Sequence, residues 1–294
     1  MDMIFDFSSL SGPDAVPPQV EDTTLAKQES LFENLRGRSS LLIAFSGGAD
    51  SAYLAWAAHR AIGERALSVT ALSASFSKND REHAEHFVRS HSIRHEFIET
   101  REFANLLYIA NNSDRCYHCK DELFTRMEAL ARARGFSAIA YGINADDTRD
   151  FRPGHRAAQE HRVISPLLDA GLAKAEIRRL SRLAGLETWD RPASPCLSSR
   201  IPYGTRVTPE LLAHVERAED AVRRLGFRQF RVRAFGENAS IELATDELAG
   251  GLAPEVSKAL VAAVISAGFL TAAIDPAGYR QGSLNSSLKK TGLD

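Results

Sequence analysis

Ser46-Gly47-Gly48-Ala49-Asp50-Ser51 follows directly on the apolar run Leu41-Leu42-Ile43-Ala44-Phe45. A buried strand that runs into two glycines lets the backbone curl tightly. Asp50-Ser51 then opens a helix whose Leu54, Ala57, Ala58 and Ala61 share one face. The start of a helix presents unpaired N–H groups and a positive dipole end, so the segment reads as an anion cradle. Its candidate contacts are Ala44, Ser46, Gly47, Gly48 and Ser51, with hydroxyl donors from the two serines. Asp50 is placed to hold a magnesium ion carried by pyrophosphate, and is one of two candidate catalytic residues. The loop lacks the lysine of G-x-x-x-x-G-K-[ST], which reaches the terminal phosphates in ordinary phosphoryl transfer.

The other candidate catalytic residue is a cysteine. The chain has Cys116, Cys119 and Cys196. Cys116-Tyr117-His118-Cys119 falls at the start of a helical stretch, where positions i and i+3 share a face. Cys196 sits between Pro195 and the segment Leu197-Ser198-Ser199-Arg200. An odd count speaks against a disulfide framework. Three readings follow from residue type: small buried residues, a zinc site completed by His118, or three thiolates on an iron–sulfur cluster. In a helix His118 points away from both cysteine neighbours. Three thiolates on a cluster that usually takes four ligands leave one iron open for chemistry.

These groups need a scaffold. Leu41–Phe45, Leu67–Ala74, Ile93–Ile98 and Ala138–Gly142 read as strands, separated by helices at about 50–62, 79–90 and 118–134. The alternation predicts an α/β fold, a doubly wound and mostly parallel sheet. Ligands bind such sheets at the carboxyl ends of the strands, which brings Ser46, Ser73–Phe76 and Gly142–Asn144 around one crevice. Ser73 and Gly142 join the candidate nucleotide contacts. Beyond residue 200 the pattern becomes α+β, with a helix at 209–225, short strands at 230–234 and 240–244, a helix at 255–267 and a strand at 270–274. The expected organisation is a loosely ordered extension (1–24), a nucleotide domain (25–192), a C-terminal α+β unit (193–277) and a polar tail (278–294).

The 294 residues suffice for one large or two moderate domains, and the formal charge of −2 argues against obligatory binding to a long polyanion. There is no apolar run long enough to span a bilayer and no signal peptide, so a cytoplasmic location without membrane partners is expected.

The hexad resembles the pyrophosphatase-type loop of ATP pyrophosphatases, which adenylate a substrate oxygen and release pyrophosphate. Asp114–Lys120 (DRCYHCK), Gly142–Asp147 (GINADD), Arg152-Pro153-Gly154, Ala157-Ala158, Ser165-Pro166-Leu167 and Pro195–Gly204 (PCLSSRIPYG) extend the likeness to about residues 25–275. Together they resemble the LarE family of ATP-dependent sulfur transferases. That resemblance implies ATP and Mg²⁺ as cofactors and a small nucleotide substrate, pyridinium biscarboxylic acid mononucleotide. The implied product is the thiocarboxylate precursor of a nickel-pincer nucleotide, and the implied assembly is a homo-oligomer, a hexamer. Two sulfur sources are implied for the family: the cysteine matching Cys196, sacrificed as dehydroalanine, or a [4Fe–4S] cluster on cysteines matching Cys116, Cys119 and Cys196. Having all three, this chain is read as the cluster type.

Such a substrate needs cations for its phosphate and carboxylates. Ser199, Arg200, Arg206, Arg231 and Arg233 are the candidate contacts, because a guanidinium matches both anions bidentately. Lys174, Arg178 and Arg179, on the helical pattern AKAEIRRL, read as a solvated face. Glu242 is a candidate carboxylate contact or metal ligand. Two other functions use the same features: a transfer-RNA thiolase, which would need a polyanion-binding surface, and a sensor that binds ATP or AMP without turnover.

Overall fold

The computed structural model describes residues 18–149 and 153–280; Arg152, the tail from residue 281 and residues 1–17 of the expected extension lie outside the described residues. Four parallel strands, β1 (Leu41–Ala44), β2 (Ala66–Leu72), β3 (His95–Glu99) and β4 (Ala138–Tyr141), form one sheet in the order β3-β2-β1-β4. Register runs Leu41 to Ala66 and Leu41 to Ala138, so β1 is flanked on both sides. Chain order reverses beside β1, which puts the topological switch point next to the glycine hexad.

Alternation along β1 sends Leu41, Ile43 and Phe45 to one face and Leu42 and Ala44 to the other. The first face packs under α1 (Pro18–Arg36), α2 (Ala49–Ile62) and α3 (Lys78–Ser90). The second packs under α5 (Arg115–Arg134) and α6 (Pro153–Glu160). A strand covered on both faces must be apolar throughout, which is why the four residues of β1 are all buried. Helix ends follow local chemistry. The Ser77 hydroxyl caps α3 by accepting from the Asp80 N–H at 3.0 Å, and Gly135, left-handed at φ 71°, ends α5.

Helix α1 runs straight across residue 24, expected to close the extension. Thr24 is buried there and donates to Glu176 at 3.2 Å. Short helices α4 (Leu106–Ala110) and α7 (Pro166–Asp169) and helix α8 (Lys174–Leu183) complete the α/β unit. Among the described residues no single helix is long and apolar enough to cross a membrane.

The C-terminal unit consists of α9 (Pro209–Arg224), β5 (Phe230–Phe235), β6 (Asn238–Leu243), α10 (Thr245–Gly251), α11 (Pro254–Ser266) and β7 (Thr271–Ile274). β5 and β6 are antiparallel across a turn at Gly236 (φ 64°), whereas β6 and β7 are parallel and joined through the two helices. Leu197, Ile201 and Val207 pack into this second core with Leu212, Val215 and Val232, so the Cys196 loop belongs to the C-terminal unit.

Candidate active site

The cradle holds its shape through its own side chains. Gly47 is left-handed at φ 74°, and Gly48 caps α2 with extended backbone. The Ser51 hydroxyl accepts from the Ser46 N–H at 3.2 Å, donates to the Gly48 carbonyl at 3.0 Å and lies 3.0 Å from the Ser46 hydroxyl. Gly142, after β4, lies so close beneath that a Cβ there would come within 2.8 Å of the Ser51 nitrogen. Its role in this geometry is to let the start of α2 approach β4. Ala44 ends β1 beneath the loop, and Ser73, after β2, has its hydroxyl 2.9 Å from that of Ser75.

Asp50 opens α2. Its Oδ2 accepts from the Lys174 ammonium at 2.7 Å and from the Asn144 amide at 3.3 Å, while its Oδ1 is buried without a partner. Lys174 is therefore part of the crevice, not a solvated face. It is the first residue of α8, and its N–H donates to Asp146 at 2.8 Å, which aims the side chain inward. Arg178 is also engaged, donating to the carbonyls of Trp189 and Arg191. Arg191 in turn donates to the Gly47 carbonyl at 3.0 Å and to Asp80 at 2.7 Å, clamping the cradle from the linker between domains. Burial pushes the Arg191 guanidinium below its ordinary pKa, against the pull of Asp80.

The sulfur side lies beside it. The Leu197 N–H donates to the Ser75 carbonyl at 2.9 Å, pinning the Cys196 loop to the end of β2. Tyr108 meets the Ser198 hydroxyl at 2.8 Å, and Arg115 donates to the Ser198 carbonyl at 2.8 Å and to Asn111 at 2.5 Å. Cys116 and Cys119 occupy the first turn of α5, next to Arg115. Crowding pushes the Cys119 thiol up to about 12; burial acts first, then the negative charge of Cys196, of Glu102 and of Cys116. Burial alone would lower the Arg115 pKa, but Cys196 and Cys116 reverse it, so the net direction is upward. Two buried guanidiniums, Arg115 and Arg200, feel the charge of Cys196. His118 turns back to Asp114 at 3.3 Å, away from the thiols. Among the described residues no three or more His, Cys, Asp or Glu side chains are grouped to hold a metal ion.

Arg200 is deeply committed. It makes a two-pronged pair with Glu219 at 2.8 Å on each arm, and donates to the carbonyls of Pro195 and Cys196 and to the Ser199 hydroxyl. Arg233 bonds Glu242 at 3.0 Å and the Ser199 carbonyl at 2.8 Å. Arg231 donates to the carbonyls of Phe230 and Ala193, and Arg206 is exposed. A cavity of about 400 Å³ opens between the domains, and Arg200 and Arg231 line it together with Asp80, Arg191 and Glu219; Arg206 and Arg233 do not.

A PP-loop domain family matches residues 20–161. The pyridinium-3,5-bisthiocarboxylic acid mononucleotide synthase of Lactiplantibacillus plantarum is 31% identical over 280 residues, covering 92% of this chain and 98% of that protein. The chain belongs to the LarE family of ATP-dependent sulfur transferases. An uncharacterised protein of Synechocystis is 42% identical, covering 89% of this chain and 99% of its own length. One of Methanocaldococcus jannaschii is 25% identical over 76% of the chain and 86% of its own length.

Within this LarE-family chain, sequence reasoning missed Arg115, Lys174, Arg191 and Glu219. Arg115 stood inside the cysteine motif and offered a signal, a cation next to a cysteine. Lys174 and Arg191 offered none, because both reach the hexad from more than a hundred residues away.

Proposed function

We propose that the chain adenylates a carboxylate of pyridinium-3,5-biscarboxylic acid mononucleotide and then exchanges oxygen for sulfur. A carboxylate is a poor electrophile. Its oxygen attacks the α-phosphorus of ATP, pyrophosphate leaves, and the acyl adenylate that results has AMP as a good leaving group. The cradle N–H groups and the hydroxyls of Ser46 and Ser51 would face the phosphates, with Asp50 on Mg²⁺. The unpartnered Asp50 Oδ1 is a fit for that ion. A sulfur nucleophile then attacks the acyl carbon and AMP departs. Arg200 and Arg231 mark the acceptor side, with Ser199, Arg206 and Arg233 nearby in sequence. The single observation that supports the reading is the bond from the Leu197 N–H to the Ser75 carbonyl, which ties the residue after Cys196 to the loop that follows β2.

For the sulfur source, Cys116, Cys119 and Cys196 would hold a [4Fe–4S] cluster, which would supply sulfide-level sulfur for the exchange. Arg115 offsets the negative charge gathered by the thiolates. In the competing route Cys196 itself attacks, and loss of its Cα proton breaks the Cβ–S bond to leave dehydroalanine.

The test is anaerobic purification of wild type and of Cys116→Ala/Cys119→Ala. Wild type should carry iron and sulfide with visible absorption. It should release pyrophosphate when given ATP and the biscarboxylate nucleotide, and not when given bulk transfer RNA. The double variant should lose cluster and thiocarboxylate together while still binding ATP. If it instead makes one thiocarboxylate per chain and loses the mass of hydrogen sulfide, the sacrificial route is the right one. Stimulation by transfer RNA with a steep salt dependence would favour a thiolase. A hexamer remains part of this reading, checked by light scattering.

A further inference from the structure

Asp50 already has a cation beside it. The Lys174 ammonium stands 2.7 Å from Asp50 Oδ2, although 124 residues separate the two. The lysine side chain is 38% exposed and the aspartate 18%, so the pair sits at the mouth of the crevice.

Two features set it apart from a routine surface ion pair. Lys174 is the first residue of α8, where the helix dipole disfavours a positive charge. A lysine placed there against the local field is explained by what it faces. The pair also satisfies only half of the carboxylate, since Oδ1 stays buried without a partner. A carboxylate kept for stability alone is normally hydrogen-bonded at both oxygens when buried. Asn144, which donates to Asp50 Oδ2, and Asp146, which accepts from the Lys174 N–H, belong to the loop after β4. That loop ties the start of α8 to the cradle. The cradle itself carries no lysine between Ser46 and Ser51.

We propose that Lys174 is the displaceable cation of the cradle. In the nucleotide-free protein its ammonium occupies the carboxylate that binds metal. When Mg²⁺-bound ATP arrives, Asp50 passes to the metal and Lys174 moves onto the phosphate oxygens of the departing pyrophosphate. The four-carbon stem allows the short swing, and the relocated charge lies where negative charge develops as the leaving group separates. A lysine distant in sequence thereby does the work that the last turn of a G-x-x-x-x-G-K-[ST] loop does locally. The inference rests on reading the hexad as the site of magnesium and nucleotide.

The two halves of the exchange predict opposite effects of one substitution. Lys174→Gln should bind Mn²⁺ alone more tightly, because a competitor for Asp50 is gone. It should bind Mg²⁺-ATP about tenfold more weakly, since one charge-assisted contact to phosphate is lost. Lys174→Arg should recover part of the nucleotide affinity. Free Mn²⁺ is counted by electron paramagnetic resonance and Mg²⁺-ATP binding by calorimetry, on intact protein without acceptor. A lysine that only braces α8 against α2 would lower the melting temperature and leave the Mn²⁺ affinity unchanged or weaker, and either result overturns the proposal. Wild type that binds no Mg²⁺-ATP would instead remove the reading of the cradle, and this inference with it.

Discussion

Every bond that shapes the hexad from within joins residues at most five positions apart, as between Ser46 and Ser51. The Cys196 loop is held by partners far along the chain: Glu219 on Arg200, Arg115 on the Ser198 carbonyl, Tyr108 on the Ser198 hydroxyl, and Ser75 on the Leu197 N–H. Buried guanidinium–carboxylate pairs also carry charge into the interior on the sulfur side, with Arg200 and Glu219 at 4% and 7% exposure. From within, the cradle uses neutral serines and backbone, and the cations that reach it, Arg191 and Lys174, come from outside the hexad. A local motif can lose a functional group and keep its shape. A loop assembled from long-range charged contacts cannot, because each removed partner leaves another buried and uncompensated.

The largest effect should follow from breaking the Arg200–Glu219 pair. Glu219→Gln leaves a buried guanidinium without its counter-charge, sets an amide NH2 against the Arg200 Nη2 that Oε2 now accepts from, and should destabilise the chain by about 3–5 kcal/mol. Sulfur transfer and melting temperature should fall together. A variant that keeps its melting temperature while losing transfer would erase the contrast between the two regions.

Asp50→Ala should do the reverse. Pyrophosphate release should drop by about 10²–10³-fold, the loss typical when a group facing transition-state charge is removed. The free energy of unfolding should hold to within about 1 kcal/mol, since the pair with Lys174 is partly exposed. Undiminished pyrophosphate release would show that the hexad is not the nucleotide site.

The smallest effect tests whether the helix bearing two of the cysteines is braced independently of both regions. His161, at the end of α6, bonds Asp121 and Glu128 of α5 at 2.9 Å each. Burial lowers its pKa, but the two carboxylates outweigh burial and the net direction is upward. Because the folded pKa lies above the unfolded one, the clamp stabilises fully below the unfolded value near 6.5 and is lost as pH rises through the folded value. His161→Gln should therefore lower the melting temperature at pH 5.5 by about 2 °C, and by less at pH 8.5. An equal deficit at both pH values would mean that the ring acts by packing alone.

Much of this molecule was legible in the order of its residues. The strand ahead of the hexad, the alternation of strands and helices, the parallel sheet and the α+β unit all depend on patterns only a few residues wide, set by burial and backbone sterics. The hexad names its chemistry because its glycines, serines and aspartate act on one another within a single turn. What tertiary structure alone decided is which distant charges meet. Nothing in AKAEIRRL distinguishes a solvated lysine from one that faces Asp50, and nothing around Arg191 says that it will grip the Gly47 carbonyl. The sequence marks Arg200 as a candidate substrate contact, and only the packing of α9 shows that Glu219 already engages its guanidinium. Local patterns are fixed by neighbours along the chain, whereas the strength of a charge pair depends on the burial of both partners, and burial exists only once the chain has folded.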